Sequence, residues 1–190
     1  MPRFNLVVMT CLFATASVYA GETTMTAREL AETELLAQWV GVPEKQYILG
    51  NAYYHGDSVK QDYAEAAKWY RLSADQGWAE SQHMLGVIYD HGDGVPPDYV
   101  QAVAWYRAAA EQGYAPAQFE LGNKYASDEG VTQNFADAYI WFSLAAASGN
   151  EQARVERDEY AGKLSHAEIM NAQQRASKLF EQIKQQNTRQ

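Results

Sequence analysis

The stretch Leu85-Gly86-Val87-Ile88-Tyr89-Asp90-His91-Gly92-Asp93-Gly94-Val95, continued through Asp98, Ala102 and Trp105-Tyr106 to Gly113, decides the fold. Moved 36 residues in either direction, it meets itself. Leu49-Gly50 and Leu121-Gly122 repeat Leu85-Gly86; Tyr53 and Tyr125 repeat Tyr89; Val59 and Val131 repeat Val95. Ala66, Ala102 and Ala138 follow in step, then Trp69-Tyr70, Trp105-Tyr106 and Trp141-Phe142, then Gly77, Gly113 and Gly149. Three copies without an insertion cover residues 42–149. A fixed period of this length is the mark of stacked supersecondary units, none of which can bury its apolar face alone.

Each copy reads as two helices. Helix A is expected near 44–54, 80–90 and 116–126, with Pro43 and Pro116 in first turns, where a missing N–H costs nothing. Leu, Gly and Tyr at relative positions 0, 1 and 4 share one helical face. The Gly admits a neighbouring helix at close range. Connectors such as His55-Gly56-Asp57-Ser58-Val59 and His91-Gly92-Asp93-Gly94-Val95 follow, with Gly suited to the left-handed C′ position. Asp62, Asp98 and Asn134 stand where an N-cap would start helix B, which carries Ala66, Trp69, Tyr70 and Ala74 along one face in the first copy and ends at Gly77.

The pattern LG-x-x-Y-x-x-G-x-G-V-x-x-D-x-x-x-A-x-x-W-Y-x-x-(A/S)-A-x-x-G resembles the Sel-one-like repeat family, relatives of the tetratricopeptide repeats. The resemblance implies an all-α fold, a right-handed α/α solenoid of three 36-residue helix-turn-helix repeats (42–77, 78–113, 114–149) with terminal capping helices. Ser58 replaces the second connector Gly in copy one, and Asp128 the first in copy three, so strained connectors are expected there. The periodic Trp and Tyr residues are expected in the core.

The ends read as caps, which a solenoid requires. Residues 21–41 hold a lone, degenerate helix B, since Gly41 and Leu36 lie 36 residues before Gly77 and Leu72. Residues 150–190 hold one more helix A, with Arg157 where Leu should be. A capping box, Ser165-His166-Ala167-Glu168, then opens a last helix whose tail from Gln185 to Gln190 is expected to fray.

Residues 1–20 read as a signal peptide: Arg3, then an apolar run from Leu6 to Ala14, then small-x-Ala sites ending at Ala16 or Ala20. The apolar run is shorter than the roughly 20 residues of a spanning helix. Cys11, the only cysteine, lies inside that run, so neither lipidation nor thiol chemistry is expected of the mature chain. A location in the bacterial periplasm, or beyond it, is expected, without stable membrane insertion. Removing Arg3 with the signal leaves 14 basic against 24 acidic residues, a net −10. Such a charge disfavours nucleic acid and anionic membranes. It suits a basic partner, and equally a merely solubilising surface.

The sequence holds no HExxH, nucleophile elbow, P-loop or Ser-x-x-Lys. His55, His83, His91 and His166 lack metal-ligand spacing, so no metal, cofactor or catalytic residue is assigned. Binding residues are sought instead where the copies differ. Opposite the Leu–Gly–Tyr face point Tyr47, Asn51, Tyr54 and His55 in copy one; His83, Val87, Asp90 and His91 in copy two; Phe119, Asn123 and Ala126 in copy three. In tetratricopeptide arrays the corresponding face lines a concave groove that grips a peptide or protein, and the resemblance implies that use here. A narrower expectation is an immunity protein that neutralises a secreted toxin such as a phospholipase. A β-lactam-binding or hydrolysing enzyme, the activity described for cysteine-rich relatives, is the competing class. A monomer or weak homodimer is expected, the latter through Leu179 and Phe180 on the last helix.

Overall fold

A computed structural model describes residues 26–188 of the chain. The signal-peptide reading, its cleavage sites and Cys11 lie outside the described residues. Every regular element among them is helical. α1 (Ala27–Leu35) is continued by a π-helical turn (Leu36–Val40); α2 (Pro43–His55), α3 (Tyr63–Ala74), α4 (Ala79–His91), α5 (Tyr99–Ala110), α6 (Ala115–Ser127), α7 (Phe135–Ala147), α8 (Glu151–Ala161) and α9 (His166–Asn187) follow. Helices α2, α4 and α6 are the A helices of the three copies, and α3, α5 and α7 the B helices. Each pairs with the next in chain order, giving an α/α solenoid.

Local chemistry starts these helices where the sequence expects. The side chains of Asp62, Asp98 and Asn134 accept the free N–H groups at the starts of α3, α5 and α7. Ser165 and Glu168 form the capping box of α9, and Thr26 and Glu29 form another at α1. The connectors turn through left-handed residues, among them Gly56 and Gly92 at φ 78° and 79°. Ser58 and Asp128, which stand where other copies have Gly, adopt φ 66° and 65°. They are the only such non-glycine residues among those described. The expected strain is therefore real, and the fold absorbs it.

The core repeats with the sequence. Ala66, Tyr70, Leu85 and Ile88 are fully buried, as are Ala102, Tyr106, Leu121, Ala138 and Phe142. Gly50, Gly86 and Gly122 explain themselves by distance. A Cβ on each would lie 2.6, 2.4 and 2.6 Å from the ring of Tyr70, Tyr106 and Phe142 respectively, so the second aromatic of helix B occupies the glycine's notch. The first aromatic fares differently: Trp141 is buried, but Trp69 and Trp105 are half-buried, as are Tyr53, Tyr89 and Tyr125. These residues seal the joints between copies. Arg71 of α3 donates to the Tyr89 hydroxyl at 2.7 Å, and Arg107 of α5 to the Tyr125 hydroxyl at 2.8 Å.

α9 departs from the 36-residue register. It packs against α7, and the solenoid does not continue outward with it. Ile183 reaches Gly113, where its Cγ2 stands 2.9 Å from the place of a missing Cβ, and Asn187 donates to the Gln112 carbonyl at 3.1 Å. α9 is helical to Asn187, whose side chain is tied to the second copy, and residues 189–190 of the tail expected to fray lie outside the described residues. Leu179, on α9, is half-buried against the core, whereas Phe180 is exposed.

Candidate partner-binding face

The A helices carry the predicted binding residues, and the buried rings of the B helices set their arrangement. The Tyr70 ring crosses Gly50 and its hydroxyl donates to Asn51 Oδ1 at 2.6 Å. Tyr47 and Tyr54 flank that ring, with centroids 6.0 and 6.3 Å away. The Tyr54 hydroxyl donates to Asp93 Oδ2 at 2.8 Å, bridging from the first copy to the connector of the second. Burial, with Asp93 beside it, pushes the Tyr54 phenol up to about 12. His55 is exposed, its ring 5.1 Å from that of Tyr54.

The second copy repeats the frame with other side chains. The Tyr106 ring crosses Gly86 and its hydroxyl donates to Asp90 Oδ2 at 3.4 Å. Burial, then the charges of Asp90 and Glu120, raise the Tyr106 phenol far above its ordinary value. His83 lies between Tyr106 and Tyr114, with ring centroids 5.8 and 5.4 Å away. Its burial lowers its pKa to about 4, so the ring is neutral at physiological pH. Val87 is half-buried against the core. His91 is exposed and lies 3.8 Å from Asp93 Oδ2.

In the third copy Phe119 packs on Phe142 at 5.7 Å, and Phe142 has no hydroxyl to offer. Asn123 accordingly donates to Glu120 at 3.2 Å, and Ala126 packs into the core. The sequence reading missed Lys124. It fills a position held by buried Ala52 and Ile88 in the other copies, and its ammonium donates to Asp90 at 2.6 Å and to Glu129 at 2.8 Å. The signal was present, because a cation replaces an apolar residue at a core position of the repeat.

The structure therefore joins Tyr54, Asp93 and His91 in one cluster, and His83, Tyr106, Asp90 and Lys124 in the next. His55, at the end of α2, reaches the row only through Tyr54. Among the described residues no group of three or more His, Cys, Asp or Glu is placed to hold a metal ion. No helix among them is long and apolar enough to cross a membrane.

An array of paired helices joined side by side, with variable side chains on one set of helices, defines a helical-repeat scaffold. The Sel1 repeat family model matches residues 44–78, 79–114 and 115–150, and the chain belongs to that family. Sel1 repeats are protein-interaction modules. No curated protein shows significant similarity to the chain. Among solved structures, a protective antigen of uropathogenic Escherichia coli with an SLR fold is 37% identical, with a TM-score of 0.65 over 66% of this chain and 27% of its own. A Sel1 repeat protein from Oxalobacter formigenes is 34% identical, with a TM-score of 0.63 over 67% of this chain and 53% of its own. Helicobacter pylori cysteine-rich protein B shares the fold at 20% identity, TM-score 0.53, over 67% of this chain and 95% of its own. The chain thus spans about a quarter of the first relative's length and about half of the second's.

Proposed function

We propose that this protein is an exported interaction module that holds a partner protein or peptide on its A-helix face. One observation carries the reading. The packing residues recur in every copy, while Tyr47, His83 and Phe119, at one equivalent position, form a row of different rings. Invariant positions serve the fold, and a row that varies while remaining aromatic and half-buried serves recognition, since rings offer area with few rotors to freeze. The signal-like residues 1–20 support delivery to the periplasm or beyond. Replacing His83 and Tyr54 together with Ala should abolish partner capture while circular dichroism and Tm report a folded solenoid; undiminished capture would move the site elsewhere.

The immunity form of this reading is supported by the acidic chain and the signal-like residues 1–20. Its test is protection of cells expressing a periplasmic phospholipase toxin, expected from the native chain and lost in the double variant. On the same reading the protein turns over no chromogenic β-lactam, and measurable hydrolysis would replace the binding role with an enzymatic one.

A further inference from the structure

The charges of the molecule are not spread evenly over its two sets of helices. α4 carries Glu80 and Asp90 and neither Lys nor Arg. In α6 the one cation is Lys124, whose side chain is only 7% exposed and whose charge is taken up by Asp90 and Glu129. Lys45 lies on α2 of the first copy, while the cations Lys68, Arg71 and Arg107 sit on B helices α3 and α5, and Arg175, Lys178 and Lys184 on α9. The A-helix face of the second and third copies therefore presents carboxylates among rings without a competing free Lys or Arg on α4 or α6. His83 adds no positive charge, being neutral at physiological pH.

Rings and carboxylates are also interleaved. Tyr114 lies beside His83 and within electrostatic reach of Tyr47 and Glu80. Tyr106 lies within reach of Asp90, Glu120 and Tyr54. Asp93, with its side chain 26% exposed, closes the row beside Tyr54. Ring faces attract cations, and carboxylates at their edges pair with the same charges.

We propose that the occupant of this face is a basic segment of the partner, whose Lys and Arg side chains lodge against the half-buried Tyr54 and Tyr114 and pair with Glu80, Asp93 and Glu120. The proposal rests on the A-helix face being the partner-binding surface. It assigns the acidic balance of the chain a use beyond solubility, because the carboxylates concerned are half-buried between rings and not scattered in solvent.

The experiment uses a phage-displayed random peptide library selected on the immobilised full chain, followed by fluorescein-labelled copies of the enriched peptides. Enrichment of Lys and Arg is expected, with binding weakened ten-fold or more in the triple variant Glu80→Gln, Asp93→Asn, Glu120→Gln. A control of equal charge change on exposed carboxylates of α1, α8 and α9, Glu32→Gln, Asp158→Asn, Glu181→Gln, should leave affinity within about two-fold, since exposed charges remote from the face are screened. Equal weakening by both triple variants, or none by the first, overturns the proposal. Enriched peptides without Lys and Arg overturn the partner chemistry but leave the face as a binding surface, and no enrichment at all overturns both. Matching Tm values of the two variants keep a folding defect from imitating either result.

Discussion

The first two copies and the third solve the same packing problem by different means. In copies one and two a polar ladder stitches each repeat to itself and to its neighbour. Gln46 donates to the Ala37 carbonyl and accepts from Gln76; Gln82 donates to the Ala74 carbonyl and accepts from Gln112. Arg71 and Arg107 reach forward to tyrosines of the following copy. The third copy has Ser143 and Ser148 where Arg and Gln would stand, and both hydroxyls turn back to carbonyls of α7. It exchanges the ladder for apolar cover: Tyr139, Ile140 and Leu144 are buried under α9, where the first copy has Ala67, Lys68 and an exposed Leu72. A forward-reaching arginine needs a following repeat, and an array that stops must close its last B helix by other means.

The sharpest way to break that contrast is a chain ending at Leu164, which lacks α9. It uncovers Tyr139, Ile140 and Leu144 and removes Ala172, Ala176 and Ile183 from the core. At roughly 1.5–3 kcal/mol for each buried apolar side chain, the loss is about 5 kcal/mol or more. At about 2–4 °C per kcal/mol for a chain of this size, Tm should fall by more than about 10 °C. Hydrogen exchange should rise first in α7 and last in α3 and α4. An unchanged Tm would mean that α9 is an appendage and not the third copy's cover.

Lys124→Met tests the joint between copies two and three, which carries an ion pair between Lys124 and Asp90. Removing the buried Lys124 strands Asp90, while the exposed Glu129 turns to solvent, and about 2 kcal/mol is expected to be lost. The pH dependence gives an independent signature. Burial pulls the Lys124 pKa down, but its bonds to Asp90 and Glu129 outweigh this and the net shift is upward. A raised pKa stabilises below the unfolded value and loses that contribution as pH rises through the folded one. Lys124 holds the Glu129 carboxyl below its ordinary value, so that contribution is present above the unfolded pKa and lost as pH falls through the folded one. Urea titrations of the Met variant should show a shallower loss of stability at both extremes.

His83 stands where copies one and three have Tyr47 and Phe119, and it alone of the three takes up a proton in acid. Its pKa, lowered to about 4 in the fold, means that the unfolded chain takes up the proton first. Stability should therefore decline as pH drops below about 6.5 and go on declining to about 4. His83→Phe should flatten that part of the curve and leave the neutral region nearly unchanged. A retained slope would place its source in another group.

Much of this was legible from one period. The helices, their Asp and Asn caps, the left-handed connectors at Ser58 and Asp128, and the glycine notches all follow from residues that recur every 36 positions. What escaped was non-periodic. The packing of α9 on α7 was written in Tyr139-Ile140 and Leu144, apolar at positions where earlier copies are small or charged, but a register argument reads only what repeats. Lys124 escaped for the same reason. The candidate face was legible as a set of positions, while the clustering of Tyr54 with Asp93, and of Asp90 with Lys124, depends on how one copy is turned against the next.

The smallest expected effect is the most specific to the comparison. Gln118 keeps half of the ladder, donating to the Ala110 carbonyl at 3.1 Å, but its buried Oε1 has no hydrogen-bond partner among the described residues. Translating Gln76 and Gln112 by the period places their equivalent at Ser148, whose side chain is too short to span the gap. Ser148→Gln should supply the missing Nε2 donor, in the geometry that Gln112 uses toward Gln82 at 2.7 Å. Satisfying a buried acceptor is worth about 1 kcal/mol, and the exposed Ser148 gives up only a bond to the Leu144 carbonyl of its own helix. A gain of roughly 2–4 °C in Tm is expected. No gain in Ser148→Gln, with the same substitution neutral in the Gln118→Leu background, would show that the ladder orders the repeats without stabilising them; a gain that vanishes in that background assigns it to the restored bond.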